Sequence, residues 1–150
     1  MRSTRVTKLI SAPRERVYSA LLDAEAVARW KVPEGMTCQV HEFDASEGGA
    51  IHISLTYDAS DRAGKTYGST DTYRGRFVKL VPNQLVVEVD EFETDDPALR
   101  GEMTSTISLS ETPTGTELVA VHDGLPDRLS PADNEVGWRE ALARLAALVE

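Results

Sequence analysis

The chain has 150 residues, with 16 basic and 25 acidic side chains and a formal net charge of −9 at pH 7. That balance disfavours nucleic acid and anionic membrane as partners, because both require a positive face. Cys38 is the only cysteine, which excludes an intrachain disulfide, and no signal-peptide-like start or long apolar run is present; a cytoplasmic soluble protein is expected, with residues 1–150 forming a single domain.

Residues 5–11 read as a first strand carrying Val6, Leu9 and Ile10. Pro13 opens a helix capped by Ser11 or Ala12, with Val17, Tyr18, Leu21 and Leu22 along its apolar stripe. A second short helix follows over residues 23–30, with Val27 and Trp30 on its inner side, and Pro33 and Gly35 break the pattern.

From Met36 the hydrophobic period changes to two. Met36, Cys38 and Val40 alternate with Thr37, Gln39 and His41, and Phe43, out of phase, marks a bulge. Glu47, Gly48 and Gly49 turn the chain, after which Ile51, Ile53, Leu55 and Tyr57 alternate with His52, Ser54 and Thr56. A polar loop is expected over residues 58–65, then a long strand over 67–80 with Tyr73, Gly75 and Phe77 on one face. Pro82 and Asn83 turn the chain again. Leu85, Val87 and Val89 alternate with Val86, Glu88 and Asp90, and Val87 is counted among the inward residues. The acidic run Asp90, Glu91, Glu93, Asp95 and Asp96 reads as a solvated loop. Met103, Ile107 and Leu109 share a face of the next strand, and Leu118, Ala120 and His122 share a phase in the last one.

Residues 130–150 carry the clearest helix pattern. Ser130 suits the N-cap, Pro131 the first helical position and Asp133 the positive end of the dipole. Trp138, Leu142, Leu145 and Val149 recur at helical spacing, and Ala141 and Leu148 widen the stripe. Glu135 with Arg139, and Glu140 with Arg144, stand four apart on the other side. Gly137 is out of place in a helix interior, at a cost of about 1 kcal/mol relative to Ala. Close approach of a strand or a ligand explains it, and so does simple drift with no role.

One strand, two helices, six strands with short connections and one long helix predict an α+β fold: an antiparallel sheet of about seven strands with helices on one face.

An ordered series of residues resembles the activator-of-heat-shock-protein-90-ATPase-like proteins. It begins with Ile10, Ala12, Pro13, Val17, Tyr18, Ala20, Leu21 and Trp30, then Phe43, Asp44, Gly48 and Gly49. It continues through Gly75, Phe77, Val78, Leu80, Pro82, Leu85 and Val86, and closes on Gly115, Thr116, Glu117, Leu118, His122, Gly124, Leu125, Pro126, Gly137 and Trp138. Asn83, Gln84 and the residues after Asp58 depart from the common pattern, all at hairpin ends. The resemblance implies a START-like, birch-pollen-allergen-like helix-grip fold, in which a curved sheet wraps the C-terminal helix around a hydrophobic cavity. Members bind lipids, polyketides and other apolar molecules, a few relatives are polyketide cyclases, and eukaryotic namesakes stimulate a chaperone ATPase.

The residues expected around such a cavity are Trp30, Cys38, Val40, Ile53, Leu55, Tyr57, Tyr73, Phe77, Val87, Met103, Ile107, His122, Trp138 and Leu142. The same residues would equally fill an ordinary core. Tyr57, Tyr73 and His122 supply polar contacts, and in an enzymatic alternative, a cyclase or dehydratase, Tyr73 and His122 serve as acid–base groups. His41, His52, Cys38 and Glu42 fit no standard metal spacing, and Cys38 and His41 fall on opposite faces of a regular strand. Gly64, Lys65 and Thr66 lack the upstream glycine and the strand-to-helix context of a phosphate loop. No cofactor motif is present. The partners expected are a small apolar molecule and, by the resemblance, a chaperone or a second copy of the chain.

Overall fold

The structure is a computed structural model, and it describes residues 2–58 and 69–150. Its strands are β1 (Ser3–Ile10), β2 (Met36–Phe43), β3 (Ala50–Tyr57), β4 (Thr70–Val81), β5 (Leu85–Phe92), β6 (Met103–Thr112) and β7 (Gly115–Asp123). The helices are α1 (Arg14–Leu21), α2 (Ala24–Trp30) and α3 (Pro131–Val149), with a 3-10 turn at Pro97–Leu99. All strand pairs are antiparallel, and the sheet runs β1-β7-β6-β5-β4-β3-β2. The six later strands follow one another as hairpins, and β1 joins the last of them, leaving β1 and β2 as the edges. α3 packs on β1 and on α2, and α2 reaches β2. This is the curved-sheet and closing-helix arrangement of the START-like, helix-grip fold.

Local chemistry explains the helix ends. Ser130 Oγ accepts from the Asp133 N–H at 3.2 Å, and Pro131 occupies the first turn of α3. Asp23 caps α2 by accepting from the Glu25 N–H at 3.1 Å. α1 differs from expectation: Pro13 itself is the N-cap, with no side-chain cap. The Pro13 carbonyl receives the Arg16 and Val17 N–H groups at 3.0 and 3.2 Å.

Register decides which side chains reach the core. In β2 the pairing shifts between Val40 and Glu42, so His41 is the extra residue of a bulge. The bulge returns Phe43 to the inner face, where its ring meets Phe77 edge-on at 5.4 Å between centroids. A second shift in β4, between Phe77 and Lys79, leaves Val78 exposed. β5 reverses the expected phase: Val86, Glu88 and Asp90 are buried. Val87 pairs with Lys79 and Thr106 on the outer face, which removes it from the inward set. The acidic run is correspondingly not solvated at its first residue, Asp90. The polar loop expected after Asp58, with the start of the following strand at Tyr67 and the Gly64, Lys65 and Thr66 triplet, lies outside the described residues.

Candidate functional site

Cross-strand partners share a face, so the register maps the inner face as a set of rows. One row is apolar: Leu80, Val86, Ile107, Ala120 and Val6 on successive strands. The adjacent row is polar over most of its length: Phe77, then Glu88, Ser105, His122 and Thr4. Of the four polar residues, Thr4, Glu88 and Ser105 are buried. Next come Ile51, Gly75, Asp90 and Met103, and beyond them Val40, Ile53, Tyr73 and Phe92.

Lys31, the residue that ends α2, brings a cation to this face. Its Nζ donates to Glu88 Oε2 at 2.9 Å and lies 5.8 Å from the centre of the Tyr73 ring. The pair is largely withdrawn from water, with side-chain exposures of 18% for Lys31 and 7% for Glu88. Burial disfavours the Lys31 ammonium, but the Glu88 carboxylate outweighs it and holds the ammonium charged. Burial also disfavours the Glu88 carboxylate; the Lys31 charge and hydrogen bonds from Asp90 and Lys31 overcome it and hold Glu88 below the usual carboxylate range. Asp90 goes the other way. Burial, the Glu88 charge and the hydrogen bond shared with Glu88 raise it well above its ordinary value.

Asp90 fits there because its opposite residue is Gly75. A Cβ at Gly75 would lie 2.2 Å from Asp90 Oδ1 and 2.1 Å from the Val89 carbonyl oxygen. Among the described residues, Asp90 Oδ1 is the one buried side-chain nitrogen or oxygen without a hydrogen-bond partner. Burial pushes the Cys38 thiol up to about 11, against the pull of Lys31, so it is an unreactive thiol rather than a thiolate. Burial likewise raises the Tyr73 phenol, which stays neutral.

α3 meets the polar row at His122. Trp138 Nε1 donates to His122 Nδ1 at 3.2 Å, and Asn134 Nδ2 stands 3.0 Å from the same nitrogen and 3.1 Å from Thr4 Oγ1. An indole N–H only donates, so Nδ1 is the bare nitrogen and the proton sits on Nε2. Burial, reinforced by the Lys31 charge, lowers His122 to about 4, which keeps the ring neutral. The His122 and Trp138 rings meet edge-on at 5.7 Å.

Of the predicted site residues, the structure sets Cys38, Val40, Ile53, Leu55, Tyr57, Tyr73, Phe77, Met103, Ile107 and His122 on the inner face, with Trp138 and Leu142 of α3 in the same interior. Trp30 belongs to the same core, its indole N–H donating to the Ala20 carbonyl at 3.0 Å, so it ties α2 to α1. Met103 packs with Leu125 and Leu129 in a smaller cluster at one end. Val87 is not brought there, for the reason given above. Lys31, Glu88, Asp90 and Asn134 escape sequence reasoning. Val86 and Phe92 share their parity with Glu88 and Asp90, which is the one trace in the sequence of the β5 phase. Val40, Leu55, Tyr57 and Phe92 are only half-buried.

Two surface grooves are present, and Phe92 of the inner face borders the second. One, of about 720 Å3, is bordered by Arg16, Asp23, Arg29 and Leu148, and the other, of about 490 Å3, by Arg74, Glu91, Phe92 and Arg100. On the outer face His41 Nε2 is 2.8 Å from Ser54 Oγ, and His52 Nε2 is 2.9 Å from Glu93 Oε1. Among the described residues no three His, Cys, Asp or Glu side chains converge as metal donors. No helix among them is long and apolar enough to cross a membrane.

The family model described as Activator of Hsp90 ATPase homolog 1-like protein matches residues 11–150. A crystal structure of a protein from Chromobacterium violaceum is 40% identical over 99% of this chain and 97% of its own, with a TM-score of 0.90. A protein from Mesorhizobium loti shares the fold at 22% identity and a TM-score of 0.73, covering 98% of this chain and 96% of its own. The AHSA1-like protein from Aeromonas hydrophila does so at 15% identity and a TM-score of 0.73, covering 98% and 91%. No curated protein matches the chain.

Proposed function

Because the chain belongs to the Activator of Hsp90 ATPase homolog 1-like family, we propose that it is a cytoplasmic small-molecule-binding protein that holds an apolar ligand between the sheet and α3. The family supports a ligand-binding or co-chaperone-like role in general terms. The observation that favours a ligand is the Lys31, Glu88, Asp90 and Tyr73 cluster set beside apolar residues of the inner face. Buried ion pairs are a poor way to add stability, since well-packed apolar residues usually do as well or better. A few convergent polar groups among apolar walls are, however, what orients a small molecule. The half-buried Val40 and Leu55 on the same face are walls a ligand would complete.

Acid–base catalysis by Tyr73 and His122, as in a cyclase or dehydratase, has less support. The basic nitrogen of His122 is already taken by Trp138 and Asn134, and its low basicity suits a structural ring better than a base. Lys31 is held charged by Glu88 and so is not a free amine nucleophile.

Trp138 provides the test, because it touches the polar row while Trp30 is 2% exposed and bonded to Ala20. Titration with a panel of lipids, polyketides and aromatic molecules is expected to quench tryptophan emission saturably in the wild type, with the change largely lost in Trp138→Phe. A flat response across the panel, with no thermal shift, would overturn the proposal.

A further inference from the structure

We propose that His122 is a proton-operated latch on α3: with Nδ1 bare it holds Trp138 and Asn134 against the sheet, and a proton on Nδ1 releases the first half of the helix. The latch is made of contacts within the chain and goes beyond the ligand-binding function, since it needs no ligand.

The two halves of α3 are held differently. Ala141, Leu142, Leu145, Ala146 and Val149 are buried in the second half. Its end is tied down as well. Arg16 Nη1 donates to the Val149 carbonyl at 3.1 Å, and Glu150 Oε2 accepts from the Ser11 N–H at 2.9 Å. In the first half Trp138 is the first buried residue, and Val136 before it is 55% exposed. Among the described residues, the side-chain hydrogen bonds between this half and the sheet run to two residues. Trp138 and Asn134 reach His122, while Asn134 and the Pro131 carbonyl reach Thr4. His122 and Thr4 stand opposite each other in the β1–β7 register, so one point on the sheet makes all of these bonds.

That point can switch. An indole N–H only donates, and so does a protonated imidazole. A proton on Nδ1 therefore sets two donors face to face across the 3.2 Å between Trp138 Nε1 and His122 Nδ1. Asn134 can turn its amide to offer oxygen instead, losing its bond to Thr4, but Trp138 has no such remedy. Burial is the strongest bar to the proton, and the Lys31 ammonium of α2 adds to it. Glu88 of β5 and Asp123 of β7 pull the other way, and Asp90 lies beyond Glu88 and is bonded to it. The other groups set against the ring are uncharged: Thr4 of β1, Ser105 of β6, and Asn134 and Trp138 of α3. The closed ring thus stays neutral down to about pH 4, whereas a ring released to water takes its proton near pH 6.5. Between these values each unit of acidification favours the released helix by about tenfold.

The two tryptophans supply an internal comparison. Trp138 Nε1–H is bonded to His122, whereas Trp30 Nε1–H is bonded to the Ala20 carbonyl at 3.0 Å, which does not titrate. Exchange of the two indole protons for deuterium can be followed by NMR. Divided by the rate in free tryptophan at the same pH, it reads how often each bond opens. Trp138 is expected to open more often than Trp30, and its opening should rise about tenfold per pH unit as pH falls from about 6.5 toward 4. In His122→Gln, whose amide does not titrate, that rise should vanish. Equal opening at the two tryptophans would mean that α3 leaves only when the whole chain unfolds, and would overturn the latch. A Trp138 opening independent of pH in the wild type would do the same, as would a rise that persists in His122→Gln. Should the variant not fold, the wild-type comparison of Trp138 with Trp30 decides alone.

Discussion

Glu88 and Asp90 are two residues apart on one face of β5 and are shifted in opposite directions, because Lys31 is bonded to one of them. The raised value of Asp90 lets the folded chain hold its proton above about pH 4, where the unfolded chain releases it. Its contribution to stability is therefore complete below that pH and is lost as pH rises toward the folded value. Asp90→Asn keeps a donor for Glu88 and has no proton to lose. Its melting temperature relative to wild type should therefore rise as pH increases from about 4; a flat difference would count against the raised value of Asp90. Glu88→Gln leaves the Lys31 ammonium buried, but Asp90 is next to it and can ionise in its place. The single variant should thus cost less than Glu88→Gln with Asp90→Asn, for which about 3–5 kcal/mol is expected in urea unfolding. His122 has the opposite sign. Its folded value, lowered to about 4, means that its contribution is present above about pH 6.5 and lost as pH falls toward 4. His122→Gln should accordingly lose less stability than wild type between those limits. Of these residues only His122 and Tyr73 stood out in the sequence. Lys31 drew no reading, Glu88 read as an outward residue of its strand and Asp90 as the start of a wet loop, because a charged side chain is read as solvated until its partner is seen.

Elements differ in how firmly their own residues define them. In α3 the cap, the proline and the apolar stripe agree, and the helix runs over Pro131–Val149 with Trp138, Leu142, Leu145 and Val149 buried. Its one discordant residue, Gly137, turns out to need no glycine. A Cβ there would meet only Pro33 Cγ, at 3.7 Å, an ordinary contact. Gly137→Ala should raise stability by about 0.5–1 kcal/mol, or a few degrees in melting temperature. Gly75→Ala should do the reverse and cost about 2 kcal/mol or more, because the added carbon would collide with backbone oxygen and with Asp90. The two variants, melted side by side, separate a glycine that has no packing role from one that the site requires. Phe43, out of step in the sequence, marked the β2 bulge correctly. β5 was mistaken because Leu85, Val87 and Val89 make as good an apolar alternation as its true inner set, and only pairing with β4, past the bulge at Val78, chooses between them.

At the scale of the whole molecule, α3 and α2 cover the inner face unevenly, and the half-buried Val40, Leu55, Tyr57 and Phe92 lie toward the β2 side. A ligand seated there should stabilise the fold by about 2.7 kcal/mol at a hundred times its dissociation constant. Amide exchange should slow most in β2, β3 and β4; uniform slowing over the sheet would point to binding elsewhere. The order of elements, the antiparallel sheet and the closing helix were determined by the sequence alone, because hydrophobic period, caps and turn residues act over a few neighbours and leave little choice. The family pattern was legible for the same reason: its residues are spread along elements that each declare themselves locally. The polar cluster was decided only by the tertiary structure. Lys31 lies 57 positions from Glu88 in the chain, and nothing local to either specifies the other. Two bulges set the register, register sets the face, and the face determines which charges are buried together.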